Sequence, residues 1–208
     1  MEIVRTANAG VLLKLDGVKI LLDGICGDLP PYLATPESIK GELSENLPDV
    51  VAFTHFHPDH FDKDFALFFE KKTGKKIISP ENSESQSVGG VDIRAITTRH
   101  IGKTDIEHIS LVISGSKTVW FMGDASPLAL KNMTGFDKPD VLFAPFAYFN
   151  TPSALKNTKE LGADKIFILH LPDEDNDELR ICKTVQENIK NESNIHFINL
   201  GEAFCFNK

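Results

Sequence analysis

Four side chains of the types that bind metal ions lie within residues 55–60. They are His55, His57, Asp59 and His60, and they directly follow the apolar run Val50–Phe53. Imidazole and carboxylate groups are good ligands for zinc, manganese and iron. Side chains on an extended segment alternate in direction, so His55 and His57 point the same way. Packing rarely places four such residues after a buried strand, so this cluster predicts a metal site.

Three more residues of these types each follow a predicted strand, and they are His100, Asp124 and His170. The strands that precede them are predicted over residues 91–97, 118–122 and 165–169. The alternative for each histidine is a structural role at a strand end. The alternative for Asp124 is an aspartate in a Gly-Asp turn. Beside the cluster at residues 55–60, all three are candidate ligands supplied by distant parts of the chain.

Short apolar runs separated by turn residues predict strands alternating with helices. Strands are predicted over residues 3–5, 11–15, 18–22, 50–53, 76–79, 91–97, 108–114, 118–122, 141–143, 165–169 and 195–198, with a short strand at the C-terminus. Helices are predicted from Thr35 to before Pro48, and over residues 61–74, 127–133, 151–162 and 177–190. Thr35-Pro36 and Thr151-Pro152 both read as an N-cap followed by a proline in the first turn. This alternation predicts an α/β fold with sheets inside and helices outside.

Composition limits the kind of protein. The 208 residues are 41% hydrophobic and 25% charged, which predicts a single globular domain over residues 1–208. A net charge of −8 argues against a broad nucleic-acid-binding surface. The three widely spaced cysteines favour a reducing compartment. There is neither a signal-peptide pattern nor an apolar run of about 18 residues, so we expect a cytoplasmic protein without a membrane span. Nothing in the sequence sets an oligomeric state.

The segment Thr54–His60 matches the His-x-His-x-Asp-His signature of the metallo-β-lactamase fold superfamily. Asp23, at the end of an early predicted strand, resembles the first motif of that superfamily. His100, Gly123-Asp124 and His170 match the later motifs in the same order. The resemblance covers nearly the whole chain. It implies a four-layer αβ/βα sandwich with the site at one edge of the two sheets.

The resemblance also implies a role for each of these residues. It implies two divalent cations, with zinc expected and manganese or iron also suited to this ligand set. The first cation would be bound by His55, His57 and His100, the second by Asp59, His60 and His170, and both by Asp124. Asp23 would support the metal-binding loop without binding metal itself.

The expected reaction is hydrolysis of a small lactone, ester or phosphodiester by a hydroxide that bridges two metal ions. Asp59 is expected to orient this hydroxide while it remains a ligand. His108 and Tyr148 are candidates for the wall of the substrate pocket, with structural roles as the alternative. Two other functions stay open: a diiron protein that handles oxygen or nitric oxide, and a metal-binding protein without turnover.

Overall fold

The computed structural model describes residues 1–102 and 105–206. The strands are β1 Glu2–Arg5, β2 Val11–Leu15, β3 Val18–Leu22, β4 Val50–Ala52, β5 Gln86–Val88, β6 Val91–Thr97, β7 Ile109–Ser114, β8 Thr118–Phe121, β9 Val141–Pro145, β10 Lys165–Leu169, β11 Ile195–Phe197 and β12 Ala203–Cys205. The α-helices are α1 Glu37–Glu45, α2 Lys63–Thr73, α3 Pro152–Glu160 and α4 Ile181–Ile189. Short 3-10 helices span Pro127–Met133, Phe146–Tyr148 and Glu174–Asn176. Within the described ranges, no helix has both the length and the apolar character needed to cross a membrane.

The strands form two sheets. One sheet has five strands in the order β12-β1-β2-β3-β4, and the other has seven in the order β11-β10-β9-β8-β7-β6-β5. Apolar side chains of α1 and α2 pack with the outer face of the five-stranded sheet. Side chains of α3 and α4 pack with the outer face of the seven-stranded sheet. The order of layers is therefore helices, sheet, sheet, helices, which confirms the predicted four-layer αβ/βα sandwich.

Successive side chains of a strand point to opposite faces of its sheet. Each strand therefore contributes both to the central core between the sheets and to one of the two outer apolar layers beneath the helices. In β2, Leu13 and Leu15 enter the core between the sheets, whereas Leu12 faces the layer beneath α1 and α2. In β7, Ile113 enters the central core and Val112 faces the layer that contains side chains of α3 and α4. Strands that bury both faces read as almost continuous apolar runs, which is why these segments were recognisable in the sequence.

Strand direction brings the candidate ligands to one edge of the sandwich. β3 and β4 pair in parallel, and so do β8, β9 and β10. β6 pairs antiparallel with β7, which pairs antiparallel with β8, so β6 and β8 run in the same direction. The segments that follow β3, β4, β6, β8 and β10 therefore meet at the same end of the two sheets. These segments contain all the residues predicted to form the metal site.

Three local predictions were wrong. α1 has Pro36 at its N-cap, and the hydroxyl of Thr35 instead accepts a hydrogen bond from the Cys26 amide at 3.0 Å. The strand predicted over residues 76–79 reduces to a bridge between Ile78 and Ala52. The last helix begins at residue 181, because the Asp177 carboxylate accepts hydrogen bonds from the first amides of α4 at 2.7 and 2.9 Å.

Candidate metal centre

The seven predicted ligands converge at the sheet edge. Their side chains form three groups in which the possible ligand atoms lie within 4.8 Å of one another. These groups are His55, His57 and His100; His55, His60 and Asp124; and Asp59, His60 and His170. The first and third groups have the membership that the resemblance implies for two separate ions. All members except the partly exposed His57 are buried.

Asp124 lies between these two groups. Its Oδ2 is 3.6 Å from Nε2 of His100, which belongs to the first group. The same oxygen is 3.4 Å from Nε2 of His170, and Oδ1 is 3.4 Å from Nε2 of His60, both of the third group. One carboxylate thus reaches ligands from both groups, as a bridging ligand must.

Several buried ligand atoms in the cluster make no hydrogen bond within the described part of the chain. They are Asp59 Oδ1, His60 Nε2, His100 Nε2, Asp124 Oδ1 and His170 Nδ1. Buried polar atoms are nearly always paired, so a group of unpaired ones at one place requires an explanation. Imidazole nitrogens and carboxylate oxygens suit zinc, manganese and iron. The residues present therefore fit the predicted pair of cations.

In three of the histidines, a contact of Nδ1 fixes the direction in which Nε2 points. Nδ1 of His60 donates to Asp23 Oδ2 at 2.8 Å, and Nδ1 of His100 donates to the Ile101 carbonyl at 2.6 Å. Nδ1 of His55 lies 3.1 Å from the Thr54 hydroxyl. In all three rings Nε2 is left for the cluster. Ligating histidines commonly have such partners, which set the tautomer and the orientation of the ring.

Electrostatics divide the cluster into neutral and charged groups. Burial lowers the pKa of His55, and the neighbouring His60 lowers it further, so this imidazole stays neutral with a lone pair to give. Burial also opposes a charge on His60, but the carboxylates of Asp124 and Asp23 outweigh it and hold its pKa well above the ordinary value. Burial would raise the pKa of Asp124, yet the charges of His170 and His60 hold it well below its usual range. A cation entering here would displace the proton of His60.

Asp23 contacts the cluster from behind through two residues of the segment after β4. Its side chain is fully buried. Oδ1 accepts the Thr54 amide at 2.7 Å, and Oδ2 accepts both the Thr54 hydroxyl at 2.6 Å and Nδ1 of His60. These bonds fix the start of the segment that contains four of the seven ligands. Sequence reasoning missed the role of Thr54, which precedes the first histidine of the motif.

The structure corrects the prediction that His108 lines the substrate pocket. The ring is 2% exposed, and both nitrogens are engaged. Nε2 accepts the Asp124 amide at 3.0 Å, and Nδ1 lies 2.8 Å from the Thr98 hydroxyl, which is in turn 2.9 Å from that of Ser110. Burial lowers the pKa of His108 to about 3, so the ring is neutral. His108 therefore positions the loop of Asp124 and has no free ring nitrogen to offer a substrate.

Tyr148 is also corrected, because it does not lie on a pocket wall. Its side chain is fully buried in the core beneath α3 and α4. Its hydroxyl donates to the Ser126 carbonyl at 3.1 Å, which ties the 3-10 helix after β9 to the segment after Asp124. The sequence placed this aromatic residue in a loop, but the loop folds inward.

Tyr32 is an aromatic residue at the site that sequence reasoning did not single out. Its ring lies edge-on to His170, with a centroid distance of 4.1 Å. Burial raises the pKa of Tyr32, and the charges of Asp124 and Asp59 raise it further, so the phenol remains a neutral donor. A backbone hydrogen-bond pair between Leu29 and Tyr32 holds this part of the loop. No spacing rule relates residue 32 to residue 170, so only the fold could reveal this contact.

Gly123 allows Asp124 to reach the cluster. Its φ is +52°, and a Cβ there would lie 2.6 Å from the side chain of Thr54. We expect Gly123→Ala to lower the free energy of unfolding by about 2–4 kcal/mol, since it adds a clash to the cost of the left-handed backbone. Gly74→Ala is the matched control, because Gly74 has φ +70° and open space around its Cβ position. Urea unfolding of both variants measures the difference, and equal losses would contradict this role of Gly123.

The class that this fold and this set of residues define is the metallo-β-lactamase fold superfamily. Residues 3–173 match the family model described as the beta-lactamase superfamily domain, and the chain belongs to this family. A curated relative is the UPF0173 protein YddR of Bacillus subtilis, with 28% identity over 151 residues. The match covers 64% of this chain and 58% of the length of that protein.

Solved structures share the fold at lower identity. An isothiocyanate hydrolase from Delia radicum gut bacteria is 19% identical, with a TM-score of 0.71 and all of both chains covered. Igni18, a metallo hydrolase of Ignicoccus hospitalis, is 18% identical, with a TM-score of 0.68 and 99% of each chain covered. CmlA, a diiron β-hydroxylase from Streptomyces venezuelae, is 12% identical, with a TM-score of 0.61, and the match covers 99% of this chain and 54% of CmlA.

Proposed function

We propose that this protein is a binuclear metal-dependent hydrolase of small lactones, esters or phosphodiesters. The observation that carries the proposal is the pair of three-residue groups joined by Asp124. Each group supplies three ligand atoms that lie within 4.8 Å of one another, and several buried atoms of these residues have no hydrogen-bond partner within the described residues. His55, His57 and His100 would hold one cation, and Asp59, His60 and His170 the other.

Two bound divalent cations would lower the pKa of a shared water to near neutral and polarise the substrate oxygen. Asp59 has a specific task beside them. Its Oδ2 accepts a hydrogen bond from His170 at 3.0 Å, whereas Oδ1 is unpaired. Burial raises the pKa of Asp59, but the hydrogen bond from His170 outweighs it and keeps the carboxyl ionised. Oδ1 can therefore accept a hydrogen bond from the attacking water and orient it.

The ligand set favours zinc-type hydrolysis over oxygen chemistry. The same fold occurs in CmlA, a diiron enzyme, so the fold alone does not choose between the two. Diiron proteins of this fold use carboxylate-rich ligands, whereas this cluster offers five histidines and two aspartates. Nitrogen-rich sites suit zinc well, although iron also accepts imidazole. The metal-binding protein without turnover remains the third candidate, and only an activity assay distinguishes it.

Turnover assays test this proposal. We expect the zinc-reconstituted protein to hydrolyse a chromogenic phosphodiester or a simple lactone, and His57→Ala to lower that activity at least about a hundredfold, since one metal loses a ligand. An alkyl isothiocyanate belongs in the same panel, because a structural relative is an isothiocyanate hydrolase.

His196→Ala is the control, because this histidine lies on β11 outside the metal-binding groups and should leave turnover unchanged. A protein that binds metal but hydrolyses none of these substrates would support the non-catalytic alternative. Activity that depends on iron and oxygen would support the redox alternative.

A further inference from the structure

A cavity of about 530 Å³ lies at the same edge of the sandwich but contains none of the seven candidate ligands. It is formed by the ends of β1, β10 and β11, the segment before α1, and one side of α4. Its volume is in the range of pockets that hold small organic molecules. The hydrolase function proposed above does not use it.

A cation lines this cavity without a carboxylate partner. The Arg5 guanidinium donates three hydrogen bonds, to the carbonyls of Ala7 at 3.1 Å, Ile198 at 3.0 Å and Asn8 at 3.1 Å. Guanidinium has five N–H groups, so two remain. No carboxylate of the described residues is within ion-pair distance of it. Burial lowers the pKa of Arg5, and Cys182, which also lines the cavity, opposes this shift by a smaller amount.

An unpaired donor belongs to Asn8, whose backbone carbonyl accepts from Arg5. Asn8 lines the cavity and is only 8% exposed, and its Nδ2 has no hydrogen-bond partner within the described residues. The Asn8 carbonyl is already occupied, since it accepts from Arg5 and from the His170 amide at 3.3 Å. The cavity therefore has a positive charge and spare N–H donors at one place, which calls for an acceptor with a negative charge.

The remaining wall is apolar and partly open to solvent. Leu33, Phe197 and Leu200 line the cavity and are 56%, 40% and 45% exposed. They are three of the eight large hydrophobic side chains that are exposed in the described part of the chain. Grouped exposed apolar side chains often mark a binding site. Their presence in the same cavity as a cation suits a molecule with one anionic and one apolar end.

We infer that this cavity binds a small monocarboxylate with an apolar body. The carboxylate oxygens accept from Arg5 and from Asn8 Nδ2, and the apolar body covers Leu33, Phe197 and Leu200. Asp173 also lines the cavity and adds a negative charge, which disfavours a doubly charged anion such as phosphate. The cavity contains none of the seven candidate metal ligands, so binding of a carboxylate here does not depend on the proposed hydrolase activity.

Hexanoate is the probe for this site. Carboxylates also bind zinc, so hexanoate could bind at the metal centre as well as in the cavity. The metal-loaded protein is therefore titrated by calorimetry, and amide NMR shows at which of the two sites hexanoate binds. We expect saturable binding with shifts at Leu33 and Leu200. Hexan-1-ol and inorganic phosphate should bind there at least about tenfold more weakly, since hexan-1-ol lacks the carboxylate and phosphate lacks the apolar chain.

Two variants and a control make the test specific. Arg5→Met should weaken hexanoate binding at least about tenfold, because a charge-assisted hydrogen-bond pair is lost. Leu200→Trp should abolish it by filling the cavity while leaving Arg5 in place, so the test holds even if Arg5→Met fails to fold. Lys14→Met, which removes a partly exposed cation on β2 that is paired with Glu2, should leave hexanoate binding unchanged.

Four results of the binding experiments would overturn the inference. These are no saturable binding, binding confined to the metal ligands, hexanoate affinity unchanged in Leu200→Trp, and phosphate affinity equal to that of hexanoate. A self-association equilibrium that alone produces the shifts at Leu33 and Leu200 would overturn it as well, because a second copy of the chain would then cover this wall. Turnover of the hydrolase substrates is measured separately and is not affected by any of these results.

Discussion

Asp124→Ala is expected to abolish hydrolysis and to lower the affinity for both cations. Asp124 is the residue whose two oxygens reach ligands of both groups, at 3.4–3.6 Å. Without it, the cations would be held less well, and the negative charge that develops on the substrate in the transition state would be less stabilised. We therefore expect kcat/KM to fall at least about a thousandfold.

Asp140→Ala is the matched control for this variant. Asp140 directly precedes β9, and so lies at the opposite end of the seven-stranded sheet. Its carboxylate accepts from Lys117 Nζ and from the Thr118 amide, both at 2.7 Å. We expect Asp140→Ala to lose some stability while kcat/KM stays within about twofold of the wild type, because surface ion pairs act locally. Equal activity of the Asp124→Ala and wild-type proteins would contradict the bridging role.

Asp23→Asn is expected to weaken the site without removing any ligand. Oδ2 of Asp23 accepts two hydrogen bonds and Oδ1 accepts one, so an amide group at either position faces a donor. Because these groups are fully buried, we expect a loss of about 2–4 kcal/mol in the free energy of unfolding of the metal-free protein. Metal affinity should fall about 10–100-fold, since the partner that orients His60 is damaged.

Asp16→Asn tests whether this effect is specific. Asp16 and Asp23 are both aspartates with a positive φ, at 50° and 45°. Asp16 accepts hydrogen bonds from the amide and hydroxyl of Ser116, but these contacts are exposed. Asparagine tolerates the left-handed backbone, so we expect little change in unfolding or in metal binding. Similar behaviour of the two variants, measured by urea unfolding and metal titration, would show that the contacts of Asp23 do not orient the site.

The fold and the ligand cluster were readable in the sequence for a shared physical reason. Strands buried on both faces are almost continuously apolar, so a polar residue at their end stands out, as His55 does after Val50–Phe53. Metal-binding side chains are few in type, and four within six residues rarely arise from packing. The parallel direction of the strands then brings distant residues such as His170 to the same edge.

The residues behind the cluster were not predictable in this way. His108 was expected near the substrate, but its two partners, the Thr98 hydroxyl and the Asp124 amide, come from other parts of the chain. Tyr148 lies inside the core because its loop folds beneath α3, which no local pattern indicates. Long-range contacts therefore determined the positions of His108 and Tyr148. The start of α4 differed for a local reason, because the Asp177 carboxylate accepts hydrogen bonds from the first amides of the helix.

The measurement that tests the central claim most directly is the metal content of the purified protein. The protein is saturated with zinc, dialysed, and analysed for metal and protein in the same sample. Two groups of ligands joined by Asp124 predict about two zinc ions per chain, with fewer in the Asp124→Ala variant. A protein that retains no zinc, or that binds the same amount with and without the Asp124 carboxylate, would contradict the binuclear centre.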